Sequence, residues 1–214
     1  MAFLTTMAAG IVALFPIVDP LAAAPMFIAM TAGDSDTNRR RQANHAVVYM
    51  AGILLTFFVA GLGLLEFFAI SMEGLRIAGG LMIVYAARGM LQIEPRVDAT
   101  EQAEAATKRD ISMTPLAMPL LSGPGSIAVA VSLATQARTL TDRAAVAVAI
   151  IVVTLATWLI LRGAMQVHSR VGPNAVAAMT RLMGFLTLCV GVQFVINGVR
   201  PLVILTLQAA LPAR

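Results

Sequence analysis

From Thr6 to Thr31 the chain carries a single charged side chain, Asp19. A run that long and that apolar matches the roughly 20 residues an α-helix needs to cross about 30 Å of hydrocarbon. Inside lipid every backbone N–H and C=O must find a partner within the protein, so only helices and closed barrels span. Helical spans are expected here, because the run is apolar throughout rather than alternating. Composition agrees. Only 12% of residues are charged and 59% are hydrophobic, with a mean hydropathy of +0.85; soluble domains carry about 25% charged residues. The fold class is therefore an all-α membrane protein. No Lys or Arg precedes Arg39, which argues against a cleaved secretory leader.

Five more apolar runs follow, near Ala46–Phe68, Leu75–Leu91, Thr114–Thr135, Ala144–Leu161 and Ala175–Val199. Six transmembrane helices are predicted. A polar, Ala-rich stretch at 92–113 separates residues 1–91 from residues 114–214. The tail "PLVILTLQAALPAR" is apolar but short and reads as an interfacial or docking segment. Cys189 has no disulfide partner in the chain and reads as a small apolar residue packed in a helix. The formal charge of +4 reads as topology and headgroup contact rather than nucleic-acid binding. Loops after the odd-numbered spans carry Arg39, Arg40, Arg41, Arg88, Arg96, Lys108, Arg109, Arg162 and Arg170. The opposite side carries Arg138, Arg143, Arg200 and Arg214. The richer side is cytoplasmic by the positive-inside rule. The 92–113 linker is then cytoplasmic and both termini are periplasmic.

The two halves share landmarks. "FPIVDPLAAAP" sets Pro16 on Pro119 and, after one inserted residue, Pro20 on Pro124 of "MPLLSGPGSIAV". "LRIAGGL" sets Arg76 on Arg181 and Gly79 on Gly184 of "TRLMGFL". Three spans per copy make the copies insert in opposite orientations, so two inverted three-helix repeats are expected, with helices 1 and 4 broken at their prolines. Interrupted helices at matching positions of inverted repeats are the sequence mark of a transporter's binding site. A break frees amides and carbonyls that are tolerable only where buried in protein or lining a polar cavity.

The candidate binding residues are Asp19 and Pro20 at the first break, and Ser122, Gly123, Pro124, Gly125 and Ser126 at the second. Gln193 and Asn197, four apart on one face of span six, either line a cavity or bridge helices. Pro16 and Pro119 are helix breakers. Arg76 and Arg181 either cap freed carbonyls or snorkel to the interface. A half-helix after Pro124 offers free N–H groups to a carboxylate. Asp19 offers a negative charge to an ammonium, a cation or a proton; it also suits a helix cap. An enzyme is not expected. No histidine lies deep in a span to activate a serine of "GPGS", and no second deep acid accompanies Asp19. No metal or cofactor is implied.

At these blocks the chain resembles the MarC family of bacterial inner-membrane proteins. The resemblance rests on "FPIVDPLAAAPMFI", "GLRIAGGLMIVYAARGML", "PLAMPLLSGPGSIA" and "RLMGFLTLCVGVQFVINGV", in that order. It implies a discontinuous first and fourth helix, and a proton-coupled secondary transporter of small neutral amino acids such as glycine and alanine. Some relatives carry Asn where this chain has Asp19. Export of another metabolite or drug, and a non-transporting membrane scaffold, are the alternatives. The partners expected are a small-molecule substrate, protons, the lipid bilayer of the bacterial inner membrane and a further copy of the chain, with no nucleic acid.

Overall fold

The computed structural model describes residues 1–31, 33–92, 110–167 and 173–210, with no strand among them. Most of the 92–113 linker, together with Arg96, Lys108, Arg109, Arg170 and Arg214, lies outside the described residues. The elements are α1 (Ala2–Val18), α2 (Pro20–Met30), α3 (Asp36–Phe67), α4 (Met72–Gln92), α5 (Ser112–Leu121), α6 (Pro124–Gln136), α7 (Leu140–Val167) and α8 (Pro173–Ala210). Among the described residues, five helical stretches are long and apolar enough to cross a membrane. They are α1 with α2 taken together, α3, α4, α7 and α8.

The stretch Thr114–Thr135, expected as a broken span, is two short pieces, and its prolines explain why. A residue before proline is pushed out of the helical region towards extended backbone. Thr114 (φ −133°, ψ 121°) and Met118 (φ −134°, ψ 124°) precede Pro115 and Pro119 and are extended. Helical winding survives around them only in a widened, π-type form. Leu116 N–H donates to Ile111 O at 3.1 Å and Ser122 N–H to Ala117 O at 2.8 Å, each reaching back five residues. Regular winding resumes at Pro124, whose missing N–H and fixed φ suit the first helical position.

The tail differs from expectation. It is no separate segment: α8 runs on through Pro201 to Ala210. A proline in a helix removes one hydrogen bond, but unwinding in an apolar setting would strand many more polar groups. At 38 residues α8 is about 57 Å long, from 1.5 Å of rise per residue.

The interrupted pair α1–α2 packs on α7, the pieces α5 and α6 pack on α3, and α4 packs along α8. Small residues set these approaches. A Cβ on Gly10 of α1 would lie 2.9 Å from Ala149 Cβ of α7, and one on Gly61 of α3 would lie 2.6 Å from Val131 of α6. Three glycines seven residues apart, Gly184, Gly191 and Gly198, line the α8 side of the α4–α8 seam. They face Met90 and Ala87, then Val84 and Gly80, then Ile77 and Glu73. The descending order makes the pair antiparallel. The seven-residue spacing is that of a left-handed helix seam.

Polar bonds fix the two ends. At one end Thr6 Oγ1 reaches Asp142 Oδ1 at 3.4 Å. The Thr139 hydroxyl donates to Asp142 Oδ2 at 2.8 Å and the Thr139 amide to the same oxygen at 3.1 Å. At the other end Trp158 Nε1 donates to Asn44 Oδ1 at 2.7 Å, and the Arg162 guanidinium lies 4.8 Å over the Trp158 ring. Buried Gln42 ties the start of α3 to the residue just before α5, donating to Asp34 Oδ2 at 2.7 Å and accepting from Ile111 N–H at 3.3 Å.

Candidate functional site

The first interruption centres on Asp19. It is 0% exposed and takes φ 46°, ψ 64°. That left-handed region costs ordinary L-residues about 1–2 kcal/mol, and Asp and Asn visit it more readily because their short side chains bond locally. Asp19 does so. Its N–H closes α1 on Phe15 O at 3.0 Å, while its Oδ1 accepts from Ala22 N–H at 3.3 Å and caps α2. One residue ends one helix and starts the next, and buried Pro20 occupies the first position of α2.

Pro20 has a second consequence. In a continuous helix its N–H would meet Pro16 O, but proline has no N–H. The carbonyl needs a donor from elsewhere. Thr187 of α8, 1% exposed, supplies it: its Oγ1 donates to Pro16 O at 2.8 Å. Sequence reasoning missed Thr187. The signal was present in the absent donor of Pro20 and in a hydroxyl set within apolar "GFLTLCVG".

The second interruption differs in one decisive respect: the N-terminus of α6 has no side-chain cap. Ile127 N–H makes the first bond of the helix, to Gly123 O at 3.1 Å. Pro124 offers no donor, so the N–H groups of Gly125 and Ser126 are the open ones. The two serines have separate fates. Ser126 Oγ donates to Leu121 O at 3.3 Å, a carbonyl freed by the break. Ser122 Oγ is fully buried and bonds to nothing among the described residues. Gly123 is half-buried and Pro124 is exposed at the edge.

Gly125 joins the two interruptions. A Cβ there would lie 3.3 Å from Ile17 Cγ2, two residues before Asp19, and 2.8 Å from Ile83 Cγ1 of α4. The glycine permits α1, α4 and α6 to converge at this point. Asp19, Pro20, Ser122, Gly125 and Ser126 are thus buried residues at two adjacent breaks. The Cβ direction of Gly125 is filled by isoleucine, so a larger side chain would displace helices before it reached any ligand.

Two expected site residues are not brought here. Gln193 and Asn197 are exposed on α8, with Gln193 Nε2 donating to Asn197 Oδ1 at 2.9 Å. The face of α8 turned to α4 is the glycine face, which leaves this pair outward. Arg76 is half-buried and Arg181 exposed, and neither bonds to a carbonyl of either break among the described residues. Pro16, expected as a helix breaker, is instead wound into α1, which runs on to Val18, whereas Pro119 lies within the irregular α5. No group of three or more His, Cys, Asp or Glu is placed to hold a metal among the described residues.

The sequence profile of the family described as "MarC family integral membrane protein" matches residues 4–203. The chain belongs to the MarC family. It is 35% identical over 205 residues to the "UPF0056 inner membrane protein MarC" of Escherichia coli O1:K1 / APEC, covering 89% of this chain and 92% of the relative. The proteins of the same name from Salmonella arizonae and Citrobacter koseri match with the same identity and coverage. No solved structure matches the chain. Both interruptions and the glycine seam fall within the matched residues, so the site geometry belongs to the part of this MarC-family chain that its relatives share.

Proposed function

We propose that this MarC-family protein is a proton-coupled secondary transporter of a small neutral amino acid, bound where the two helix interruptions meet. The convergence of Asp19, buried Ser122 and the uncapped N-terminus of α6 around Gly125 carries this reading. A zwitterion needs an anion site and a cation site a few ångströms apart. The open amides of Gly125 and Ser126, with the positive end of the α6 dipole, suit its carboxylate. Ser122 Oγ adds a donor. Asp19 and carbonyls near it suit its ammonium. The contrast between the halves supports the assignment: the α2 N-terminus already holds a carboxylate, that of Asp19, whereas the α6 N-terminus holds none.

In this reading α5 and α6 cross the membrane together as a sixth span, and the chain is an inverted three-plus-three repeat. The packing supports it. Each half's interrupted span rests on the other half's middle helix, and the third helices pair antiparallel. Arg39–Arg41 begin α3 at the end where Trp158 meets Asn44, beside Arg162. That end is assigned to the cytoplasm, with both termini outside. Reporters fused after Arg41 and after Arg214 test this: the first should read cytoplasmic and the second periplasmic. A cytoplasmic reading at Arg214 rejects the orientation.

The functional test is flux of labelled glycine or alanine into vesicles holding the purified protein, with and without an imposed pH gradient. Accumulation should follow the gradient. Flux equal to that of empty vesicles, in well-folded protein, rejects amino-acid transport. Ser122→Ala probes the site itself. Removing a buried hydroxyl that bonds to nothing breaks no hydrogen bond and relieves a desolvated group worth about 1–3 kcal/mol. Melting temperature should hold or rise, while apparent affinity for substrate falls about tenfold, the loss of one good hydrogen bond. Unchanged affinity would remove Ser122 from the site.

A further inference from the structure

We infer that the outward face of α8 around Gln193 and Asn197 is a homodimer interface, covered in the membrane by α8 of a second copy. Three observations converge. The first is depth. Gly191 packs on Gly80 and Val84, at the middle of the 21-residue helix α4. Gln193 lies two residues further along, about 3 Å at 1.5 Å per residue, and Asn197 about 6 Å beyond that. Both stay within the roughly 15 Å half-thickness of the hydrocarbon. The second is exposure. Both amides face out of the bundle, where lipid tails offer no hydrogen bond.

The third is chemistry. The bond from Gln193 Nε2 to Asn197 Oδ1 uses one donor and one acceptor. Gln193 Oε1, its second N–H and both N–H groups of Asn197 remain. No residue of the same chain meets them among the described residues. Groups like these in hydrocarbon are satisfied by amides on a neighbouring helix. A second copy is the complementary partner, because it presents the same acceptor and the same surplus donors. With the two-fold axis along the membrane normal, the two α8 helices run parallel and equal residues meet at equal depth. An isologous contact of this kind closes at two copies. Phe185, Val192 and Ile196, all exposed on α8, provide the apolar surround.

Cys189 tests the arrangement without an engineered residue. Expected as a packed residue, it is exposed. It lies four residues before Gln193 and eight before Asn197, on the same stripe. Mild oxidation of native membranes should give a disulfide-linked dimer that Cys189→Ser abolishes. A cysteine on the exposed face of another span, Val148→Cys of α7 in the Cys189→Ser background, should not crosslink. Equal crosslinking there marks random collision and overturns the proposal. The affinity is read by single-molecule photobleaching across protein-to-lipid ratios. Gln193→Leu with Asn197→Leu should weaken association about threefold to fifteenfold, the range for an interhelical hydrogen bond in a bilayer. Single-copy bleaching at every ratio, or a dimer indifferent to the double substitution, overturns it. So does a double substitution that stops flux yet leaves association unchanged, since the amides would then line the substrate route.

Discussion

Asp19→Ala is expected to abolish substrate flux and to destabilise the protein, whereas Asp19→Asn is expected to keep the fold and lose only the response to a pH gradient. The two substitutions separate what the residue does for the backbone from what its charge does for transport. Alanine at φ 46° meets the left-handed steric penalty of about 1–2 kcal/mol. It also loses the cap on Ala22 N–H, worth about 0.5–2 kcal/mol. Together they come to about 1.5–4 kcal/mol, enough to lower the melting temperature of the reconstituted protein by several degrees. Asparagine tolerates the left-handed conformation and its carbonyl oxygen can make the same cap. What it cannot do is bind and release a proton or balance an ammonium charge.

If Asp19 carries the coupling proton, Asp19→Asn vesicles should exchange labelled for unlabelled glycine yet fail to accumulate it when the outside is acidified. Accumulation equal to wild type would assign Asp19 to the backbone alone and move proton coupling elsewhere.

The helical class, the apolar spans and both interruptions were legible in the sequence, because prolines act locally. Pro20, Pro119 and Pro124 remove particular donors and lie within a residue or two of a break, whereas Pro16 is wound into α1 three residues before Asp19. Other features were not legible, for different physical reasons. Within Thr114–Thr135 the break at Pro124 was legible, but not the widened winding that Pro115 and Pro119 impose on the piece before it. The tail beyond Val199 has Pro201 as an apparent stop, but in apolar surroundings the helix continues through it. Gln193 and Asn197 share a face by spacing, yet spacing cannot say which face looks inward. That depends on Gly184, Gly191 and Gly198, which turn the opposite side of α8 towards α4. Thr187 was missed because its partner, Pro16 O, is far away in the chain and close only after folding.

Those glycines set the second large effect. Gly191→Leu is expected to prevent α4 and α8 from closing. A Cβ at Gly191 would lie 2.9 Å from Val84 N and 3.0 Å from Gly80 O, and both are backbone atoms of α4. No side-chain rotation relieves a contact with backbone, so the helices must part along the seam. Overpacking in a well-filled core costs about 1–3 kcal/mol where side chains can shift, and this site offers less freedom than that. In a bilayer the loss is compounded, since helix association there depends on close backbone approach rather than on the hydrophobic effect. Gly191→Ala should be intermediate, because it adds the offending Cβ and nothing beyond it. Gly52→Leu on α3 is the control. A Cβ there meets nothing within 4 Å, and replacing a helical glycine with leucine should be neutral or stabilising by up to about 1 kcal/mol. The measurement is thermal unfolding of the detergent-purified proteins, with recovery of folded protein from membranes as a second reading. A melting temperature for Gly191→Leu equal to that of Gly52→Leu would mean that α4 and α8 do not meet through this seam. The substitution should also remove transport with stability: Thr187, the donor that holds the Pro16 carbonyl at the first interruption, stands on the same α8 one turn before Gly191.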